Sequence, residues 1–301
     1  MISRFLRLWA IFLPVAALIS VPESTWARPI NVGSVNTQPA SEIKKFLPIA
    51  SYLAKHLQSE GIDEGKVVVA KNIPEMASLF REGKVDVYID TLFPALAVSR
   101  LSGSKLLLRR WKKGVGEYHT VIFTRTDSNI DRIEDLTGKL IALEEPYSTS
   151  GYFLPKVALL QQGFKVVLKT EGTNPVEKDE MGYVFTRADD ATMMWVLRGR
   201  AHAGAMDNHS YLKEARDNLS SLKILYKTFS IPRQVVSHRG DLTVQLVAKI
   251  KEILLNMQQS EEGKKTLQIF ENTTKFDDVP EQSLAPLLKL QGFIDAEFGI
   301  K

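Results

Sequence analysis

Along most of the chain, short runs of apolar and β-branched residues alternate with longer segments whose apolar residues recur every three or four positions. The first pattern marks half-buried or buried strands, the second amphipathic helices. Residues 30–35, 66–70 and 85–90 predict strands, with helices over 42–56, 74–82 and 94–101. The alternation restarts near Tyr118, with strands over 120–124, 140–143, 166–168 and 203–207 and helices over 133–139, 152–161 and 191–199. Strands over 224–228 and 234–237 follow, and helices over 242–258, 261–270 and 281–298 close the chain. Strand and helix in turn predict an α/β protein, its sheets mixed but mostly parallel and flanked by helices. The restart marks a second α/β unit joined to the first by extended segments; the expected division is one lobe of residues 28–118 plus 232–301 and a second of residues 119–231.

The first 27 residues stand outside this alternation. Arg4 and Arg7 precede an apolar stretch from Leu8 to Ile19, and a more polar segment ends in Thr25-Trp26-Ala27. That order is the one of a secretory signal cut after Ala27. The apolar stretch falls short of the ~20 residues that span a bilayer, so cleavage is expected over anchoring. Two arginines and one glutamate leave with it, taking the formal charge from +4 to +3, and 274 of 301 residues remain. Such a length accommodates two lobes. The absence of cysteine excludes a disulfide scaffold, a thiolate metal site, a cysteine nucleophile and a cysteine-linked lipid. A charge this small, without a long basic run, argues against nucleic acid. A soluble periplasmic monomer, not lipidated, is the expectation.

Binding chemistry concentrates where predicted strands end. Tyr147-Ser148-Thr149-Ser150-Gly151 lies between a strand and a helix, so its hydroxyls stand beside N–H groups that have no acceptor within the helix. That arrangement suits a tetrahedral oxyanion; plain N-capping by Ser or Thr is the other reading. Asp207 ends the 203–207 strand, where ligands of open α/β sheets bind, and could equally cap the helix that follows. Asp90-Thr91 and Asn36-Thr37 end two further strands and are candidates for the same cleft. Enzyme signatures are weak. The five histidines lack HExxH spacing, Ser41-Glu42-Ile43-Lys44 has no Lys-Thr-Gly partner, and no G-x-S-x-G elbow surrounds Ser148 or Ser150. No cofactor or metal site is implied.

Several segments together are familiar: 46–53 (FLPIASYL), 83–87 (GKVDV), 135–139 (DLTGK), 148–151 (STSG) and 199–207 (GRAHAGAMD). From about Asn31 to at least Leu254 the chain resembles the periplasmic substrate-binding proteins of phosphate/phosphite/phosphonate ABC transporters, which have the type II periplasmic binding protein fold. The resemblance implies a two-lobed fold, a ligand cleft between lobes joined by two crossover strands, an oxyanion held by Ser148, Thr149 and Ser150, and Asp207 near the cleft. It departs in two places. The family's histidine beside an acidic residue is replaced by Arg187-Ala188-Asp189-Asp190, which makes Asp189 or Asp190 the candidate substitute. The family's glycine-proline turn and aromatic contact are replaced by Asp90-Thr91-Leu92-Phe93-Pro94. The implied function is capture of a small phosphorus oxyanion and its delivery to an ABC permease. The alternatives are a ligand-loaded sensor docking on a membrane histidine kinase or cyclase, and a periplasmic serine hydrolase using Ser148 or Ser150.

Overall fold

The computed structural model describes residues 28–170 and 175–300. The expected signal segment lies outside the described residues. The chain opens with β1 (Arg28–Val35), α1 (Pro39–His56), β2 (Ile62–Ala70) and α2 (Ile73–Arg81). It continues through β3 (Val87–Thr91), α3 (Leu92–Ser102), β4 (Lys105–Lys112) and the short β5 (Glu117–Tyr118). A second series runs β6 (Thr120–Arg125), β7 (Leu140–Leu143), α4 (Leu154–Gln161), β8 (Val166–Leu168) and β9 (Met181–Phe185). It ends with α5 (Asp189–Leu197), β10 (Ala203–Asp207), α6 (Asn208–Ala215) and β11 (Leu222–Lys227). The chain then returns through β12 (Ile231–Pro232) to β13 (Gln234–His238), α7 (Val244–Asn256), α8 (Glu261–Ile269), β14 (Thr273–Asp277) and α9 (Glu281–Phe298).

Two six-stranded sheets result, in the orders β14-β4-β13-β3-β1-β2 and β11-β6-β10-β7-β9-β8. The βαβ units pair in parallel: β2 and β3 on β1, then β10, β9 and β8 around β7. Strands outside those units pair antiparallel. β13 wedges between β3 and β4, and β6 lies between β10 and β11. The excursion into the second sheet thus leaves through β5 and returns through β12, and these two pair antiparallel as the crossing between lobes.

Local chemistry explains most of the helix limits. Pro39 opens α1, where a missing N–H costs nothing. The side chains of Asn72, Thr243 and Ser260 accept from Glu75, Leu246 and Gly263 N–H and so cap α2, α7 and α8. α1 buries Phe46, Ile49, Ala50, Leu53 and Ala54, while Ile43 and Leu47, apolar by sequence, stay exposed. Gly65 of β2 lets that helix approach closely, because a Cβ there would stand 2.2 Å from the Ala50 carbonyl.

Five strands among the described residues have no counterpart in the sequence pattern: the two-residue β5 and β12, and β4, β9 and β14. β4 carries Arg109 and Arg110 in succession, both buried, which breaks any apolar alternation. Each is compensated by tertiary contacts: Arg109 binds Asp277 bidentately and Glu117, and Arg110 reaches Glu271, Gln234, Thr273 and the Phe270 carbonyl. β14 is short and polar, and the five-residue β9 follows a long polar stretch. The helix expected over 133–139 is only a single turn at Ile133–Leu136. α9 packs across both halves: Asp295 pairs with Arg100 of α3, and Glu297 with Lys156 of α4 and with the Tyr152 hydroxyl.

Candidate functional site

The carboxyl ends of the parallel strands in both sheets face one cavity of about 390 Å³. From the first sheet it is lined by Asn36 and Thr37 beyond β1, Asp90 and Thr91 at the end of β3, and Lys112 at the end of β4. Arg233 and Gln234 enter where β13 begins, and Glu42, Lys45, Lys71 and Glu271 complete that wall. From the second sheet come Glu144 and Glu145 beyond β7, the 147–150 turn, Asp189 at the start of α5, Asp207 and Ser210. Ten of the residues singled out from the sequence (Asn36, Thr37, Asp90, Thr91, Tyr147, Ser148, Thr149, Ser150, Asp189 and Asp207) therefore line one cavity, although they derive from five separate segments. Asp190 does not; it is exposed, and its carboxylate accepts from the Ala191 N–H.

Most of the hydroxyl turn is engaged within the protein. A single widened helical turn, Thr149–Phe153, precedes α4, and Ser148 caps it by accepting from the Gly151 N–H at 2.9 Å. The Ser148 hydroxyl also meets the Glu144 carboxyl. Thr149 is buried, and its Oγ1 accepts from the Phe93 N–H of α3 at 2.9 Å, a bond between the lobes. The Ser150 carbonyl accepts from the Thr120 hydroxyl at 2.9 Å, and the Ser150 hydroxyl faces that of Tyr118. The glycine that follows has a local reason: a Cβ at Gly151 would lie 2.5 Å from the Glu144 Cβ. Asp207 likewise caps α6, accepting from His209 N–H, Ser210 N–H and the Ser210 hydroxyl. Phe93 stacks on Phe153 with ring centroids 4.0 Å apart and packs the lobes together instead of lining the cavity.

Charge is distributed unevenly. Glu42 accepts from Ser34, Asn36 and Lys45, and Glu271 binds Lys112 and Arg110. Burial presses the Glu271 carboxyl upward, but those two cations outweigh it and hold the group below its ordinary value. Glu144, Glu145, Asp189 and Asp207 have no salt bridge among the described residues. Burial, reinforced by the charge of Asp189, raises Glu144 to about 7. Burial also raises Asp189, with Asp207 and Glu214 adding to the effect. Asp90 rises to about 6 through burial, against the opposing hydrogen bonds from Tyr88 and Thr91. Arg187, whose backbone N–H donates to the Glu144 carbonyl at 2.7 Å, sits in the left-handed region at φ 76° next to this group.

Sequence inspection missed the cationic members of the wall: Lys45, Lys71, Lys112 and Arg233. Only Arg233 had a usable signal, since it directly follows Ile231-Pro232 at the expected return between lobes. Among the described residues, no histidine lines the cavity.

Residues 32–284 match the family described as ABC transporter, phosphonate, periplasmic substrate-binding protein. The "Phosphate-import protein PhnD" of Mycolicibacterium smegmatis is 24% identical over 245 residues, covering 76% of this chain and 73% of that relative. The "Phosphonates-binding periplasmic protein" of Escherichia coli is 24% identical over 280 residues, covering 87% and 78%. Among solved structures, XAC2383 from Xanthomonas citri bound to chloride ion superposes with a TM-score of 0.82 at 24% identity, covering 90% of this chain and 98% of that one.

Proposed function

Because the chain belongs to the family of periplasmic substrate-binding proteins of phosphonate ABC transporters, we propose that it captures a small phosphorus oxyanion between its lobes and hands it unchanged to a membrane permease. The observation that carries this reading is the meeting, in one cavity of about 390 Å³, of the 147–150 turn with the Asn36-Thr37 and Asp90-Thr91 turns of the opposite sheet. A volume near the lower end of the range for small-molecule sites suits a phosphate or a short phosphonate. Hydroxyls and helix-terminal N–H groups are donors to an oxyanion, and enclosure between lobes strengthens each bond by lowering the local dielectric. The names of the Mycolicibacterium and Escherichia relatives, one for phosphate and one for phosphonates, agree with this ligand class. The protein would act in the periplasm, as a monomer, without covalent chemistry.

The test is a thermal-shift panel on protein stripped of ligand by unfolding and refolding. Phosphate, phosphite, methylphosphonate, aminoethylphosphonate, sulfate, amino acids and sugars make up the panel. A ligand at a hundredfold over its Kd stabilises the native state by about 2.7 kcal/mol. A selective rise with a phosphorus oxyanion is expected; a response only to amino acids or sugars, or to nothing, overturns the reading.

A further inference from the structure

The four cations of the cavity are not equivalent. Lys45 is paired with Glu42 at 3.1 Å and Lys112 with Glu271 at 2.8 Å, and Lys71 is exposed at the rim. Arg233 is half-buried, yet its guanidinium has no ion pair and no side-chain hydrogen bond among the described residues. It lies over the Tyr118 ring, 5.8 Å from its centroid. The Tyr118 hydroxyl in turn faces the hydroxyls of Ser150 and Thr149, so one aromatic ring separates the guanidinium from the 147–150 turn.

The surroundings sharpen this. Arg233 follows the crossover strand β12, its backbone N–H donates to the Gly116 carbonyl at 2.9 Å, and its neighbour Gln234 is in register with Thr91. It thus projects from the edge of the first-sheet wall, at the junction of the lobes. Its charge adds to the burial that lowers both Arg110 and Lys112, so the cationic cluster is strained by its presence. A half-buried guanidinium beside two other cations costs free energy unless an anion joins it. The turn opposite has the complementary problem: an oxyanion at Ser150 would stand among Glu144, Asp189 and Asp207, with no cation among the described residues of that lobe lining the cavity.

We propose that Arg233 is the counter-charge for the ligand's anionic group, which it clamps against the 147–150 turn, and that this residue sets the preference for anions over neutral solutes. The planar fork of a guanidinium can give two parallel hydrogen bonds to a tetrahedral oxyanion, a geometry that lysine does not reproduce. This inference rests on the oxyanion reading given above and adds the charged residue that reading lacks.

The experiment is calorimetric titration of the stripped parent protein, Arg233→Gln and Arg233→Lys with methylphosphonate and inorganic phosphate, at two ionic strengths. Loss of charge-assisted hydrogen bonds predicts that Arg233→Gln weakens binding roughly 10- to 100-fold. Arg233→Lys should recover part of that loss, and the Gln variant should show a flatter salt dependence than the parent. A parent that binds neither anion overturns the oxyanion reading and this one with it. A parent that binds while Arg233→Gln binds equally well overturns only the role of Arg233. Equal losses in both variants, with the parent's salt dependence retained, would make Arg233 a structural residue and overturn the proposal as well.

Discussion

The two walls of the cleft hold similar numbers of carboxylates but treat them in opposite ways. On the wall of the first sheet, Glu271 sits between Lys112 and Arg110, and Glu42 beside Lys45, so cations and hydrogen-bond donors accompany buried negative charge. On the wall of the second sheet, Glu144, Glu145, Asp189 and Asp207 are in no salt bridge among the described residues: Glu144 and Asp207 meet neutral donors, and Arg187 and Lys213 only partly offset the burial of Glu145 and Asp189. Glu271 consequently lies below its ordinary value and Glu144 well above, although both are glutamates in the same cavity. Burial pushes both upward; the nearby cation decides the outcome. Asp90 makes the same point, since it belongs to the first sheet but has only neutral donors and is raised to about 6.

The largest test of that contrast is Glu271→Gln. Arg110 is fully buried and would keep its charge with no anion beside it. Breaking a buried pair from one side should cost about 3 kcal/mol in urea unfolding, and the double change with Arg110→Met should cost less than the single one. An unchanged midpoint for Glu271→Gln would mean that Arg110 is satisfied by Gln234, Thr273 and Phe270 alone.

Glu144→Gln probes the other wall. With its folded value raised from 4.5 to about 7, Glu144 keeps a proton in the folded state that the unfolded chain releases. Its stabilising contribution is therefore full below pH 4.5 and declines as pH rises to about 7. Removing the charge should flatten that decline and raise stability at pH 8 by on the order of 2 kcal/mol. Unfolding midpoints of parent and variant at pH 5 and 8 check it; parallel pH profiles would break the comparison.

The smallest expected effect concerns the contact between the walls. Thr149→Ala leaves the buried Phe93 N–H without its acceptor, at a cost of about 1–2 kcal/mol, while Thr149→Ser keeps it. Equal stability of the Ala and Ser variants, measured by thermal unfolding, would show that water replaces the bond between lobes.

Much of this architecture was readable along the chain. β7, β8, β10 and α9 coincide with the expected segments, because short apolar runs and 3.6-residue periodicity report local burial directly. Strand ends also located Asn36, Asp90, Ser148 and Asp207 at the cavity, since side chains beyond the carboxyl ends of neighbouring parallel strands converge. β4 was not readable. Its consecutive arginines look like a polar loop until Asp277, Glu117 and Glu271 arrive from 8 to 168 positions away. The reason for Gly151 was also hidden, because the side chain it accommodates, Glu144, is a neighbour only in the folded turn.

By itself the sequence determined most of the strands and helices and which hydroxyls and carboxylates wait at their ends, because these follow from nearest neighbours and local periodicity. Only the tertiary structure decided which charges share a partner. β13 inserts between β3 and β4 after the whole second series has been built, and that placement brings Arg233 and Gln234 to the end of β3. Local pattern carries no record of such an encounter, since ion pairing and desolvation depend on distances set by sheet order and not on separation along the chain.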